Sequence, residues 1–190
     1  MSISHLPNLI TFARIGLTPV LILFLHDRDY EAALAIFVLA GVSDALDGWI
    51  AKQFRLTTRL GAILDPLADK LLLVSAYVTL MLLGELPFWL VLCVVFRDIL
   101  IIGGYLVYTT IVGSVRMQPS VFSKFNTLAQ IALVVLLLGQ KALHLTYPAL
   151  TDMMIYVVLV TTVVSGVHYI WIWGVMKEVG HVNENDGAQR

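Results

Sequence analysis

Charge is scarce in this chain: 13% of its 190 residues are Asp, Glu, Lys or Arg, against 59% hydrophobic. A soluble domain carries about twice that charged share, so an ordinary water-facing surface cannot be built from this composition. Cysteine is almost missing. Cys93 stands alone, which excludes an intrachain disulfide, and no Cys/His spacing suggests zinc; Cys93 reads as packing. No basic stripe of the kind that binds nucleic acid is present, and the net charge of −1 says little about partners. The five histidines lie in termini and loops or stand alone in an apolar run, so none joins a nucleophilic triad. Ahead of Asn8 there is no cleavable signal pattern or Arg/Ser-rich transit segment. The expectation is a bacterial cytoplasmic membrane rather than an organelle reached by import.

What is present is apolar sequence in long runs. Polar breaks fall at 26–31, 52–59, 84–87, 113–119 and 140–148, leaving candidate helices near 9–25, 31–52, 60–83, 87–112, 119–140 and 149–176. A helix rises 1.5 Å per residue, so about 20 residues cross the hydrocarbon core. The expected fold is all-α, a polytopic membrane bundle of six transmembrane helices forming one domain over 1–180, with a polar, unstructured tail at 181–190. For the first helix two readings stand: an interfacial start that dives after Pro19, or one tilted continuous span. Lys52, Arg55, Arg59, Arg116, Lys124 and Lys177 gather on one side, Arg28 and Lys141 on the other. Positive-inside bias then puts both termini in the cytoplasm. Short loops predict that sequential helices pack as antiparallel neighbours. Trp89, Trp171, Trp173, Tyr147 and Tyr169 fall near helix ends and read as interface anchors.

Against that background four aspartates stand out: Asp44, Asp47, Asp65 and Asp69. A carboxylate at the centre of a spanning helix costs about 2.5–3.5 kcal/mol. Spacings of three and four residues put each pair on one helix face. Measured from the intervening loop, Asp47 and Asp65 lie about 8–9 Å in, and Asp44 and Asp69 one turn deeper, at about 12–15 Å. Two matched rungs of hard oxygen ligands suit Mg²⁺ or Mn²⁺, and can hold two ions about 4 Å apart as in phosphoryl chemistry. Gly48, Ala51 and Gly61 permit close helix approach or entry of a bulky ligand. Pro66 is expected to kink the third helix and free a backbone carbonyl near the site.

The run Asp44-Ala-Leu-Asp47-Gly48-Trp-Ile-Ala51-Lys52, eight residues, Gly61, three residues, Asp65, three residues, Asp69 resembles the signature of CDP-alcohol phosphatidyltransferases. Six apolar runs and the opening Asn8-x-x-Thr11-x-x-Arg14, followed by Pro19, extend the likeness over essentially the whole chain. Lys52 departs from the family's usual Arg, keeping the charge and losing the bidentate fork. The stretches Arg97-Asp98-Ile-Leu-Ile-Ile and Arg116-Met-Gln-Pro119-Ser-Val-Phe-Ser123-Lys124-Phe-Asn126-Thr127 are similar to those of CMP-forming cardiolipin synthases.

The resemblance implies transfer of a phosphatidyl group from CDP-diacylglycerol to an alcohol, with release of CMP. It implies Asp44, Asp47, Asp65 and Asp69 as metal ligands, Asp69 also as the base for the acceptor hydroxyl. It implies substrate contacts from Thr11, Arg14, Gly48, Lys52 and Gly61. Arg97, Arg116 and Lys124, with Arg14, are the cations available to the acceptor's phosphate; for Arg97 the alternative is a structural pair with neighbouring Asp98 or one of the four acids, and Lys70 is expected to pair with an acid or a carbonyl. The expected acceptor is phosphatidylglycerol, giving cardiolipin. Glycerol 3-phosphate is the competing acceptor, a homodimer is left open, and a divalent-cation transporter is the alternative from another class. Transport would want carboxylates spread along a path, whereas these cluster toward one face.

Overall fold

In the computed structural model the backbone is described for residues 6–54, 61–112 and 121–187, and side chains over 13–44, 68–104 and 121–171. The described chain is all-helical, in six helices: α1 Leu6–His26, α2 Tyr30–Phe54, α3 Gly61–Leu82, α4 Phe88–Val112, α5 Val121–Ala142 and α6 Pro148–Gly187. Their order and limits follow the breaks in hydropathy closely.

The turns at one end of the bundle show why the helices stop where they do. After α1, Arg28 takes a left-handed φ of 59°, and the amides of Arg28 and Asp29 reach back to the carbonyls of Leu25 and Phe24. Gly84 (φ 79°) and His144 (φ 53°) do the same after α3 and α5, with the amides of Glu85 and Leu145 closing on Leu80 and Gln140. This paired closure satisfies carbonyls that the last helical turn leaves open. Asp29 then caps α2 by accepting the Ala32 amide at 3.1 Å. Pro148 opens α6, where a missing N–H costs nothing. The three turns meet: Lys141 donates to Glu85 at 2.6 Å, its ammonium lies 5.9 Å from the Tyr30 ring centre, and the Tyr30 hydroxyl approaches Glu85 at 3.4 Å.

α1 is a continuous helix through Pro19. Proline removes the amide that would bond the carbonyl of Ile15. One residue earlier, the Thr18 hydroxyl donates to the Arg14 carbonyl at 3.2 Å. α1 packs against both α2 and α3, α2 against α5, α5 against α6, and α4 against α6. Among the described residues α2 does not pack on α3, nor α4 on α5. The sequential pairs α1–α2, α3–α4 and α5–α6 are neighbours as expected, while the ends at which α2 would meet α3, and α4 meet α5, lie outside the residues whose side chains are described. The core runs through Leu21, Leu25, Phe37, Tyr77, Leu90, Val94, Leu133, Leu138 and Val158, all 5% exposed or less. The Tyr77 hydroxyl is satisfied at the Gln130 carbonyl, 3.2 Å away.

The outer surface is apolar too. Leu23, Leu39, Leu92, Phe96, Ile99, Leu128, Val160 and Trp171 are exposed on five different helices. Contiguous apolar surface of this kind is rare on soluble monomers. Of the described stretches, Val121–Ala142 and Pro148–Trp171 are long and apolar enough to cross a membrane, and Ala13–His26 is a shorter apolar segment. α6 runs from Pro148 to Gly187. Nothing after Pro148 breaks a helix by lacking an amide, since no further proline follows.

Candidate active site

The site is built around Arg14. The middle of α1 carries it into the space between α2 and α3, where it is 2% exposed. A buried guanidinium is costly without anions beside it. Here Nη2 lies 2.5 Å from Asp44 Oδ1 of α2, and Nη1 donates to Asp69 Oδ1 of α3. The two deep aspartates therefore do converge, as their matched depths predict. They converge on an arginine from a third helix. Arg14 Nε is buried without an acceptor among the described residues.

The carboxylates themselves are more open, with side chains 38% and 48% exposed for Asp44 and Asp69. They stand at the polar end of a cleft of about 350 Å³ between α1, α2, α3 and α5. Arg14, Lys70 and Thr127 share that end; Phe37, Val38, Leu72, Leu73, Ile131 and Val135 line the remainder. A charged head above an apolar trough is the shape of an amphipathic ligand.

A second polar cluster lies beside it. Arg97, 4% exposed on α4, donates from Nη1 to Asp98 at 2.8 Å, from Nη2 to Ser123 and Ser165 at 2.6 Å each, and from Nε to Ser165 at 3.3 Å. Asp98 Oδ1 also accepts from Lys70 Nζ at 2.6 Å. One arginine thus joins α4 to α5 and α6, and its aspartate joins α4 to α3. Further along the α5–α6 seam, Asn126 Oδ1 accepts from Thr162 at 2.9 Å and from Thr161 at 3.0 Å. These hydroxyls on an apolar helix satisfy groups that lipid or core could not.

Of the site residues expected from sequence, Arg14, Asp44 and Asp69 come together, Arg97 sits in the neighbouring clamp, and Lys124 is exposed in the first turn of α5. The side chains of Thr11, Asp47, Gly48, Lys52, Gly61 and Asp65, the surroundings of Pro66, and Arg116 lie outside the described residues. Sequence reasoning did not place Thr127 in the cleft, nor foresee Ser165 and Ser123 as partners of Arg97. The structural pair of Arg97 with Asp98 is the alternative the sequence offered, and the acid expected for Lys70 is Asp98.

Do these residues suit a divalent ion? Asp44 and Asp69 are hard oxygen donors and partly open, each with Oδ1 engaged by Arg14, and among the described residues no third carboxylate, histidine or cysteine joins them. The donor chemistry fits Mg²⁺ or Mn²⁺.

Residues 4–164 match the sequence model of the CDP-alcohol phosphatidyltransferase family. Over 94% of its length the chain is 32% identical to a cardiolipin synthase (CMP-forming)/mitochondrial hydrolase fusion protein of Schizosaccharomyces pombe, covering 33% of that protein. It is 36% identical to a cardiolipin synthase (CMP-forming) of Homo sapiens, over 68% of this chain and 48% of the relative. A CDP-diacylglycerol–glycerol-3-phosphate 3-phosphatidyltransferase of Bacillus subtilis is 34% identical over 87% of this chain and 93% of its own length. The chain thus spans a third to a half of those two cardiolipin synthases. The chain belongs to the CDP-alcohol phosphatidyltransferase family.

Proposed function

We propose that this protein is a membrane enzyme that transfers a phosphatidyl group from CDP-diacylglycerol to phosphatidylglycerol, giving cardiolipin and CMP. The observation that carries the reading is the cleft: two aspartates from separate helices meet one buried arginine at the head of an apolar trough. A diacyl nucleotide has that same division, acyl chains for the trough and a diphosphate for the charged end. The apolar outer surface supports a membrane location; six spans, both termini in the cytoplasm of a bacterial inner membrane and a site toward the cytoplasmic face are read from the hydropathy breaks and the distribution of Lys and Arg.

Asp44, Asp47, Asp65 and Asp69 would hold one or two Mg²⁺ or Mn²⁺ ions. Bound there, such ions supply charge neutralisation for anionic phosphates and a lowered pKa for a hydroxyl. Asp69 takes the proton of the acceptor hydroxyl as its oxygen attacks the phosphatidyl phosphorus and the bond to CMP breaks. Arg14 keeps Asp44 and Asp69 at a fixed separation throughout. Thr11, Gly48, Lys52 and Gly61 contact the donor, and Arg116 and Lys124 supply positive charge at the cytoplasmic rim.

A second acceptor, glycerol 3-phosphate, is favoured by one observation: the Bacillus subtilis relative matches over nearly its whole length. The test is purified protein in detergent with labelled CDP-diacylglycerol, a divalent cation, and each of phosphatidylglycerol, glycerol 3-phosphate, serine and inositol phosphate. Cardiolipin with CMP is the expected product. Phosphatidylglycerophosphate without cardiolipin reassigns the acceptor, and no CMP with any acceptor removes the reading.

A further inference from the structure

We propose that Lys70, held in place by Asp98, is the residue that grips the acceptor's phosphate, and that Arg97 is a structural clamp behind it. The proposal rests on the phosphatidyl-transfer reading and names the acceptor contact within the same cleft.

Arg97 is the intuitive candidate, a lone cation in mid-helix, yet its geometry points elsewhere. Nε, Nη1 and Nη2 all donate, to Ser165, Asp98 and Ser123, and the residue is 4% exposed. With four of its five N–H donors engaged and almost no surface open, this guanidinium has little left to offer a ligand. Lys70 differs on each point. Its side chain is 28% exposed and it lines the cleft with Arg14, Asp44, Asp69 and Thr127. An ammonium has three donors, and Asp98 takes one of them at 2.6 Å. Lys70 also adjoins Asp69, so a phosphate held by Lys70 would sit near the carboxylate that receives the hydroxyl proton. In a glycerol-type acceptor the phosphate and the attacking hydroxyl are a few bonds apart.

Asp98 decides where Lys70 points. Without an anchor, a flexible lysine beside two carboxylates would fold onto them, and its charge would be lost to the ligand. Asp98 Oδ1, shared between Lys70 Nζ and Arg97 Nη1, holds the ammonium away from that collapse. Its other oxygen is buried without a donor among the described residues. Asp98 is thus a positioning residue. A singly charged phosphodiester needs no more than one such ammonium, whereas a dianion would call for a second strong cation.

Lys70→Gln keeps a donor for Asp98 and removes the charge. It should raise the apparent KM for the acceptor by about tenfold or more, the worth of one charge-assisted hydrogen bond. The donor KM should stay within about twofold. Lys70→Arg should restore most of the acceptor affinity, and Asp98→Asn should raise the acceptor KM by a smaller factor with the donor KM again little changed. Should Lys70→Gln fail to fold, Lys70→Gln/Asp98→Asn removes both charges together, and the same split between acceptor and donor is expected. An unchanged acceptor KM, or equal rises for donor and acceptor in folded protein, overturns the Lys70 assignment. An unchanged acceptor KM in Asp98→Asn overturns the positioning role. Wild-type protein is run alongside with both glycerol acceptors. If it releases no CMP with either, the phosphatidyl-transfer reading has failed; if it prefers glycerol 3-phosphate, the variants are scored on that acceptor.

Discussion

Replacing Arg14 by methionine isolates the element that holds the candidate site together. Methionine keeps the bulk and the helix and removes the guanidinium, leaving Asp44 and Asp69 facing each other. Each charge-assisted hydrogen bond is worth about 1.5–3 kcal/mol, so two give a gross loss of about 3–6 kcal/mol. That figure must be reduced, because the carboxylates are 38% and 48% exposed and regain hydration once released. A net loss of about 2–3 kcal/mol remains, and for a chain of this size that lowers Tm by about 4–12 °C. The assay is thermal unfolding in detergent of Arg14→Met, Asp44→Asn, Asp69→Asn and their pairwise combinations. Charge pairing makes the combinations sub-additive: once Arg14 is gone, neutralising either aspartate should cost little or restore stability, with coupling of about 1–2 kcal/mol in each cycle. A Tm for Arg14→Met within 1–2 °C of wild type, which is about the size of a neutral surface substitution, would refute the counter-charge argument. Strict additivity would refute it as well.

Three further outcomes are expected. Alanine at Asp44, Asp47 or Asp65 should abolish CMP release, and excess chelator should do the same to the unaltered protein; full turnover with chelator present would dispose of the metal requirement. Asp69→Asn should bind CDP-diacylglycerol more nearly normally than it turns it over, because an amide keeps the shape and cannot take the hydroxyl proton; single-turnover rates beside donor affinity distinguish this from loss of a ligand. Tyr77→Phe should lower stability by about 1 kcal/mol by removing the hydroxyl's bond across to the Gln130 backbone carbonyl, read as a drop in Tm with little change in either KM.

How much of this was legible in the sequence depends on which physical rule was at work. Helix limits were legible because they are local. His26 to Tyr30, Gly84 to Pro87 and His144 to Pro148 combine charge, glycine or proline with short length, and the observed turns close there. The deep rung was legible for a similar reason, since rise per residue fixes depth from a shared loop and Asp44 and Asp69 do share a partner. What the sequence could not show was the lateral arrangement. Rise per residue contains no information about which faces meet, and the short loop between α2 and α3 says only that two ends are close. The insertion of α1 against both helices is a matter of three-body packing, and Arg14 is its electrostatic consequence. Counted as an isolated mid-helix charge, Arg14 is a penalty, as are Asp44 and Asp69. Placed together, each reduces the cost of the others. The same step explains Lys70. Read along the helix it is a neighbour of Asp69; read across the bundle its ammonium is bonded to Asp98 of α4, while the residue also lines the cleft.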